Sequence, residues 1–196
     1  MTQAQPHHHP IGLVVDDDLR RNRLTVFFRL LLAIPQLIVI WLWGYIALIA
    51  VVIAWFAALV LGRVPDGLHG FVARYLRAST HVNAYILLLA DPWPPFAGEP
   101  GSYPVDLRVD PPAHQNRLTV FCRTLLAIPA FVLTYIFGIV NRIVAFFGWF
   151  YCLALGRMNE GMRDVSAWMY RYEVQTLGYA MLLTSRYPSL GGGPTA

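Results

Sequence analysis

Residues 22–35 read NRLTVFFRLLLAIP and residues 116–129 read NRLTVFCRTLLAIP, twelve of fourteen positions identical at a spacing of 94 residues. Working outward, the same offset superposes Pro10–Pro94 on Pro104–Pro188 without an insertion. Gly44 falls on Gly138, Trp55-Phe56 on Trp149-Phe150, the tripeptide LGR at Leu61 on LGR at Leu155, Gly67 on Gly161, Arg77 on Arg171 and Tyr85 on Tyr179. Shared apolar composition does not account for this, because the matches include Asn, Arg, Thr, Pro and Gly. The chain therefore reads as a tandem repeat. A disordered polar tail covers 1–9, the first copy 10–95, a linker 96–103, the second copy 104–190, and a flexible tail 191–196.

Of the 196 residues, 57% are hydrophobic and 13% charged, about half the charged fraction of an ordinary soluble domain. From Leu24 to Leu61 the only charge is Arg29, and from Leu118 to Leu155 the only charges are Arg123 and Arg142. Both runs exceed the roughly 20 apolar residues that one helix needs to cross a bilayer, and a chain this short cannot wrap two such segments in a soluble core. The composition predicts a mainly α integral membrane protein. The net charge of +4 comes from dispersed arginines that flank the apolar runs. With no basic stripe and no RNA-binding signature, membrane lipids are the expected partner and nucleic acid is not. Cys122 and Cys152 stand inside apolar segments without paired spacing and read as small core residues. The opening MTQAQPHHHP has no apolar stretch behind it, so insertion is expected to rely on the internal runs.

Each copy divides into four parts. Alternation at Ile11-Leu13-Val15 and Val105-Leu107-Val109 predicts a short strand. Asn22 and Asn116 then stand at the N-cap position of a helix. The triplet Asp16-Asp17-Asp18 ahead of the first cap corresponds to Asp110-Pro111-Pro112 in the second copy, so it reads as a solvated turn and not as a metal loop. The apolar run is the third part. A single helix of 38 residues would be about 57 Å long, nearly twice the hydrocarbon thickness of about 30 Å. A helical hairpin is predicted instead, turning at Gly44 and Gly138, with Asn141 and Arg142 beyond the second glycine. Trp41, Trp43 and Tyr45 cluster near the first turn, where an aromatic belt would lie. The second limb is short, which leaves full spanning and a re-entrant dip both open. The fourth part begins at Gly67 and Gly161. Leu68, Phe71, Val72, Tyr75 and Leu76 recur at helical spacing there, as do Met162, Val165, Met169 and Tyr172, which predicts an amphipathic interfacial helix in each copy.

Arginines flank both runs at both ends: Arg20, Arg21, Arg23, Arg29 and Arg63 in the first copy, Arg117, Arg123 and Arg157 in the second. The positive-inside rule then places both ends of both runs in the cytoplasm, giving four crossings with both termini inside.

The opening stretch, the LGR ending and AYILLLADPWPPF from Ala84 together resemble a bacterial membrane family known as domain of unknown function 4389. The resemblance covers both halves, roughly Pro10 to Leu190, although GYAMLLTSRYPSL in the second copy lacks the second proline. It implies a tandem membrane domain in the bacterial inner membrane and carries no activity with it.

Polar groups able to converge on chemistry are few. Arg29 and Arg123 lie about one and a half turns into the apolar runs, where they are expected to snorkel to the headgroups; their alternative role is to bind lipid phosphate or another anion. Arg23, Arg63, Arg117 and Arg157 join them as headgroup contacts. Pro35 and Pro129 are expected to kink their helices. His7, His8 and His9 lack a carboxylate or thiol to complete a metal site. With no phosphate loop, nucleophile elbow or metal motif, no enzyme and no cofactor are expected. The sequence points to a non-enzymatic membrane scaffold or accessory subunit that joins a protein partner or a homo-oligomer. The alternative is an oligomeric channel, transporter or lipid-handling protein with a path lined by the repeated arginines and kinked helices.

Overall fold

Both strands form where the alternation predicts them, and they pair with each other. The computed structural model describes residues 9–191; residues 1–8 and 192–196, which make up all but one residue of each predicted tail and include His7 and His8, lie outside the described residues. Strand β1 (Ile11–Val15) runs antiparallel to β2 (Val105–Val109), with Leu13 opposite Leu107, Ile11 opposite Val109 and Val15 opposite Val105. Leu13 and Leu107 are themselves 94 residues apart, so the register places an approximate twofold axis through that pair. Contacts elsewhere exchange partners under the same offset. Asp16 N–H donates to Pro104 O at 2.8 Å and Asp110 N–H to Pro10 O at 2.9 Å. Arg21 N–H donates to Gly156 O at 3.0 Å and Gln115 N–H to Gly62 O at 2.8 Å. The Trp55 indole donates to Val120 O, and the Trp149 indole to Val26 O.

The remaining elements are helices α1 (Arg23–Leu61), α2 (Asp66–Ile86), α3 (Arg117–Phe121), α4 (Arg123–Leu155) and α5 (Glu160–Ala180). Asn22 and Asn116 cap α1 and α3 as expected, each side chain accepting from the backbone N–H two residues on. The i→i−4 ladder continues through Cys122, so α3 and α4 form one rod with a local irregularity. Glycines 62 and 156, both left-handed, end the long helices. Helix α2 turns back along α1 and α5 along α4, and these two inner helices pack on β2 and β1 and on each other. Three layers result: the sheet, the α2/α5 pair, and an outer pair of long helices. Because Val26 meets Trp149 at one end and Val120 meets Trp55 at the other, α1 runs antiparallel to the α3–α4 rod.

The predicted hairpins do not form. Each apolar run is a single helix, of 39 residues in α1 and 33 in α4. Among the described residues two helices, not four, are long and apolar enough to cross a membrane. A seam of small and polar residues, Ala33, Gln36, Ala47, Ala50, Ala54 and Ala58, continues along α1 past Gly44 and stays buried. Gly44 is a point of close approach: a Cβ there would meet the Tyr75 hydroxyl at 3.0 Å. Gly138 lies inside α4, and so do Asn141 and Arg142. The Asn141 carboxamide accepts from the Ser166 hydroxyl, pinning the middle of α4 to α5. A helix of this length needs a turn only if its axis follows the membrane normal. Nor are α2 and α5 interfacial: eleven residues of each are buried between the sheet and the long helices. His9, counted with the tail, is buried as well, its Nδ1 against the backbone of Ile11.

The two halves of the core differ by compensating volumes. A methyl at Gly178 on α5 would overlap Ile11 Cδ1; the residues 94 positions away are Ala84 and Val105, with one carbon more on the helix and one fewer on the strand. Gly178→Ala is expected to lose about 1 kcal/mol, an overpacking cost of roughly 1–3 partly offset by helix propensity. Adding Ile11→Val should restore the loss. A double-mutant cycle by thermal unfolding in detergent checks this, and additive effects would refute it.

Candidate functional site

The repeated arginines Arg29 and Arg123 are each 2% exposed, so they do not snorkel. Each instead reaches the C-terminus of the inner helix of its own copy. Arg29 Nη1 donates to Tyr85 O at 2.6 Å and to Ala90 O at 3.0 Å, and its guanidinium lies 4.3 Å over the Tyr85 ring. Arg123 Nη1 donates to Tyr179 O at 3.0 Å and stacks 4.6 Å over the Tyr179 ring. A cation at a helix C-terminus satisfies carbonyls that have no intrahelical partner and opposes the negative end of the dipole. Just beyond, the chain passes through left-handed Leu88 and Leu182. Arg21 donates to Leu88 O, and the Gln115 amide to Leu182 O.

The Arg29 and Arg123 clasps fall inside two tandem matches to one family model, described as a domain of unknown function (DUF4389), over residues 23–98 and 117–190. The chain belongs to the DUF4389 family. No curated protein and no solved structure matches it.

The two DUF4389 copies treat their buried cations differently. In the first, Asp17 pairs with Arg21 at 2.6 Å and Asp91 with Arg29 at 2.9 Å; the second Asp91 oxygen accepts from Asn22 N–H. In the second copy, Asp17 and Arg21 are replaced together, by Pro111 and Gln115. At the other position only the carboxylate changes: Ser185 stands opposite Asp91, while Arg123 is kept. Arg123 Nε and Nη2 are buried without a hydrogen-bond partner. Comparing ADPWPPF with TSRYPSL residue by residue contains this difference, but the importance of Asp91 and Ser185 emerges only when the arginines prove to be buried.

Of the other predicted headgroup contacts, Arg23, Arg63, Arg117 and Arg157 are all exposed. They gather at the two ends of the long-helix pair. Arg20 bridges to Arg157 near Arg23 and Gly156 at one end. At the other, His114 lies against Gly62 next to Arg63, and Arg117 begins α3. An apolar cleft of about 370 Å³ lies beside Arg29, between Leu88 and Trp149. Its equivalent under the 94-residue offset, about 200 Å³, lies beside Arg123, between Leu182 and Trp55. Pro35 and Pro129 sit within unbroken helix; near the first, the Trp93 indole donates to Leu32 O and the Gln36 amide to Pro94 O.

The polar groups facing the sheet are tied up in structure. Asp106 accepts from Gly101 N–H and stands 3.0 Å from His81 Nε2 and 3.4 Å from Arg77 Nε. His69 faces Leu183 O at 3.2 Å, and burial holds its imidazole below the ordinary 6.5. Burial lowers His9 as well. A depressed histidine pKa means that the folded state binds fewer protons than the unfolded chain. Stability is therefore expected to fall as pH drops below about 6.5, and His69→Gln should flatten the slope. Unfolding temperatures between pH 7.5 and 5 measure this; an unchanged slope in the variant would refute it.

Proposed function

We propose that the protein is a non-enzymatic membrane scaffold or accessory subunit, seated with its outer α1/α4 layer in one leaflet and the long axes of both helices in the membrane plane. The observation that carries this reading is where the apolar surface lies. Only 17% of the most apolar window of either long helix is buried, and residues such as Leu31, Ile38, Leu48, Phe131, Ile143 and Phe147 are exposed along their length. A soluble protein rarely exposes a contiguous apolar face of such extent. Helix α1 would be about 58 Å long at 1.5 Å per residue. To bury that length across about 30 Å of hydrocarbon it would tilt by roughly 60°, beyond the 0–40° seen for spanning helices. Spanning would also carry the sheet and its charged loops to bilayer depth, whereas lying flat keeps all three layers parallel to the surface. The basic ends then meet headgroups, and both termini face the cytoplasm.

The non-enzymatic reading is supported by the buried polar groups, most of which are committed to backbone carbonyls. A common conduit is favoured less, because Arg29 and Arg123 line different clefts at opposite ends of the long-helix pair. Cysteine accessibility tests the seating. With Cys122 and Cys152 replaced by alanine, single cysteines at Arg23 and Arg63 are expected to react with an impermeant maleimide from the same side of the inner membrane. Labelling from opposite sides would establish a spanning helix and overturn it. Native mass spectrometry of gently extracted protein tests the scaffold role, and a monomer without a protein partner counts against it.

A further inference from the structure

We propose that the cleft at Arg123 binds one phosphate-class oxyanion per chain. Two otherwise matching environments differ at one group. In the first copy a carboxylate, Asp91, accepts from Arg29 Nη2 at 2.9 Å. In the second, the surroundings repeat down to the left-handed leucine, the tyrosine under the guanidinium and the carbonyl it bonds, but Ser185 replaces the carboxylate. Nε lacks a partner in both arginines, so the copies differ at Nη2, which in Arg123 also has no protein acceptor and leaves the whole Nε–Nη2 edge unused. That edge is the one a guanidinium uses to hold an oxyanion through two parallel hydrogen bonds.

A buried cation without a counter-charge is costly. The chain has a way to avoid that cost, since at Arg21 and Asp17 the second copy replaces cation and carboxylate together. Keeping Arg123 while dropping its carboxylate is what a site supplied with an external anion requires. The adjoining cleft fits such a guest. It measures about 790 Å³ and is lined by His114, Asn116, Arg117, Thr119, Arg123 and Ser185. A second guanidinium, two hydroxyls, an amide and an imidazole face a tetrahedral oxyanion with more donors than a carboxylate can use. The exposed Leu118, Phe121 and Leu125 flank the site, so a phosphodiester headgroup and a free phosphate ion share the chemistry.

The inference goes beyond the scaffold reading and does not depend on how the chain sits in a membrane. Full-length protein in non-ionic detergent is titrated with inorganic phosphate by calorimetry. In parallel, it is taken from phosphatidylglycerol or phosphatidylcholine vesicles into native mass spectrometry. One phosphate-bearing group per chain is expected. Saturable binding of inorganic phosphate identifies a free ion, whereas retention of one phosphatidylglycerol without it identifies a headgroup. Ser185→Asp, at an exposed position, installs the carboxylate of the first copy and should weaken binding by about tenfold or more. Asp91→Ser should create a second site and raise the stoichiometry to two, which keeps the test decisive if Ser185→Asp folds poorly. Binding of neither probe, or a stoichiometry that ignores both substitutions, overturns the proposal.

Discussion

Replacing Leu107 by alanine is expected to destabilise the protein by about 2–5 kcal/mol. Leu107 is 1% exposed and faces Leu13 across the sheet, on the approximate twofold axis. Its side chain belongs to the cluster that joins Leu76 and Tyr170 of the two inner helices to both strands, so truncation opens a cavity where the two copies meet. Collapse is hindered because each layer is held by the other copy. The neighbouring Arg108 is exposed, and Arg108→Ala should change stability by no more than about 0.5 kcal/mol. Equilibrium unfolding in mixed micelles compares the two; similar effects would mean that the sheet does not organise the core.

Arg29→Met should cost about 3 kcal/mol or more, near the lower end of the range for breaking a buried ion pair, because Asp91 is partly exposed. The substitution strands Tyr85 O, Ala90 O and the Asp91 carboxylate at once. Arg123→Met removes a guanidinium with one protein acceptor, Tyr179 O, and should cost about 1–2 kcal/mol in detergent without phosphate. The sign of the difference is the informative quantity. If Arg123→Met proves the more damaging, the protein relies on a partner of Arg123 already in place, and the contrast between Asp91 and Ser185 loses its meaning.

Much of the architecture was legible in the chain. The 94-residue repeat shows on direct comparison of the two halves, and both strands, the N-caps at Asn22 and Asn116, and helices beginning near Gly67 and Gly161 are local features: alternation, capping chemistry and helical spacing depend on residues a few positions apart. Asp91 was visible as a residue but not as a partner, because the 62 positions between it and Arg29 close only when α2 folds back on α1. The error at Gly44 has the same origin. A glycine near the midpoint of an apolar run suits a turn and a close helix crossing equally well, and Tyr75, which decides between them, lies 31 residues away.

By itself the sequence determined that two copies of one unit lie in tandem, where the short strands fall, and that the two long runs are apolar enough to cross a membrane, because composition and short-range periodicity carry that information. The tertiary structure alone decided that the runs are single antiparallel rods, that Arg29 and Arg123 turn inward onto helix C-termini, and that one of the two lacks a carboxylate. Those outcomes depend on how the copies interlock about Leu13 and Leu107, a relation between distant surfaces that no local pattern records.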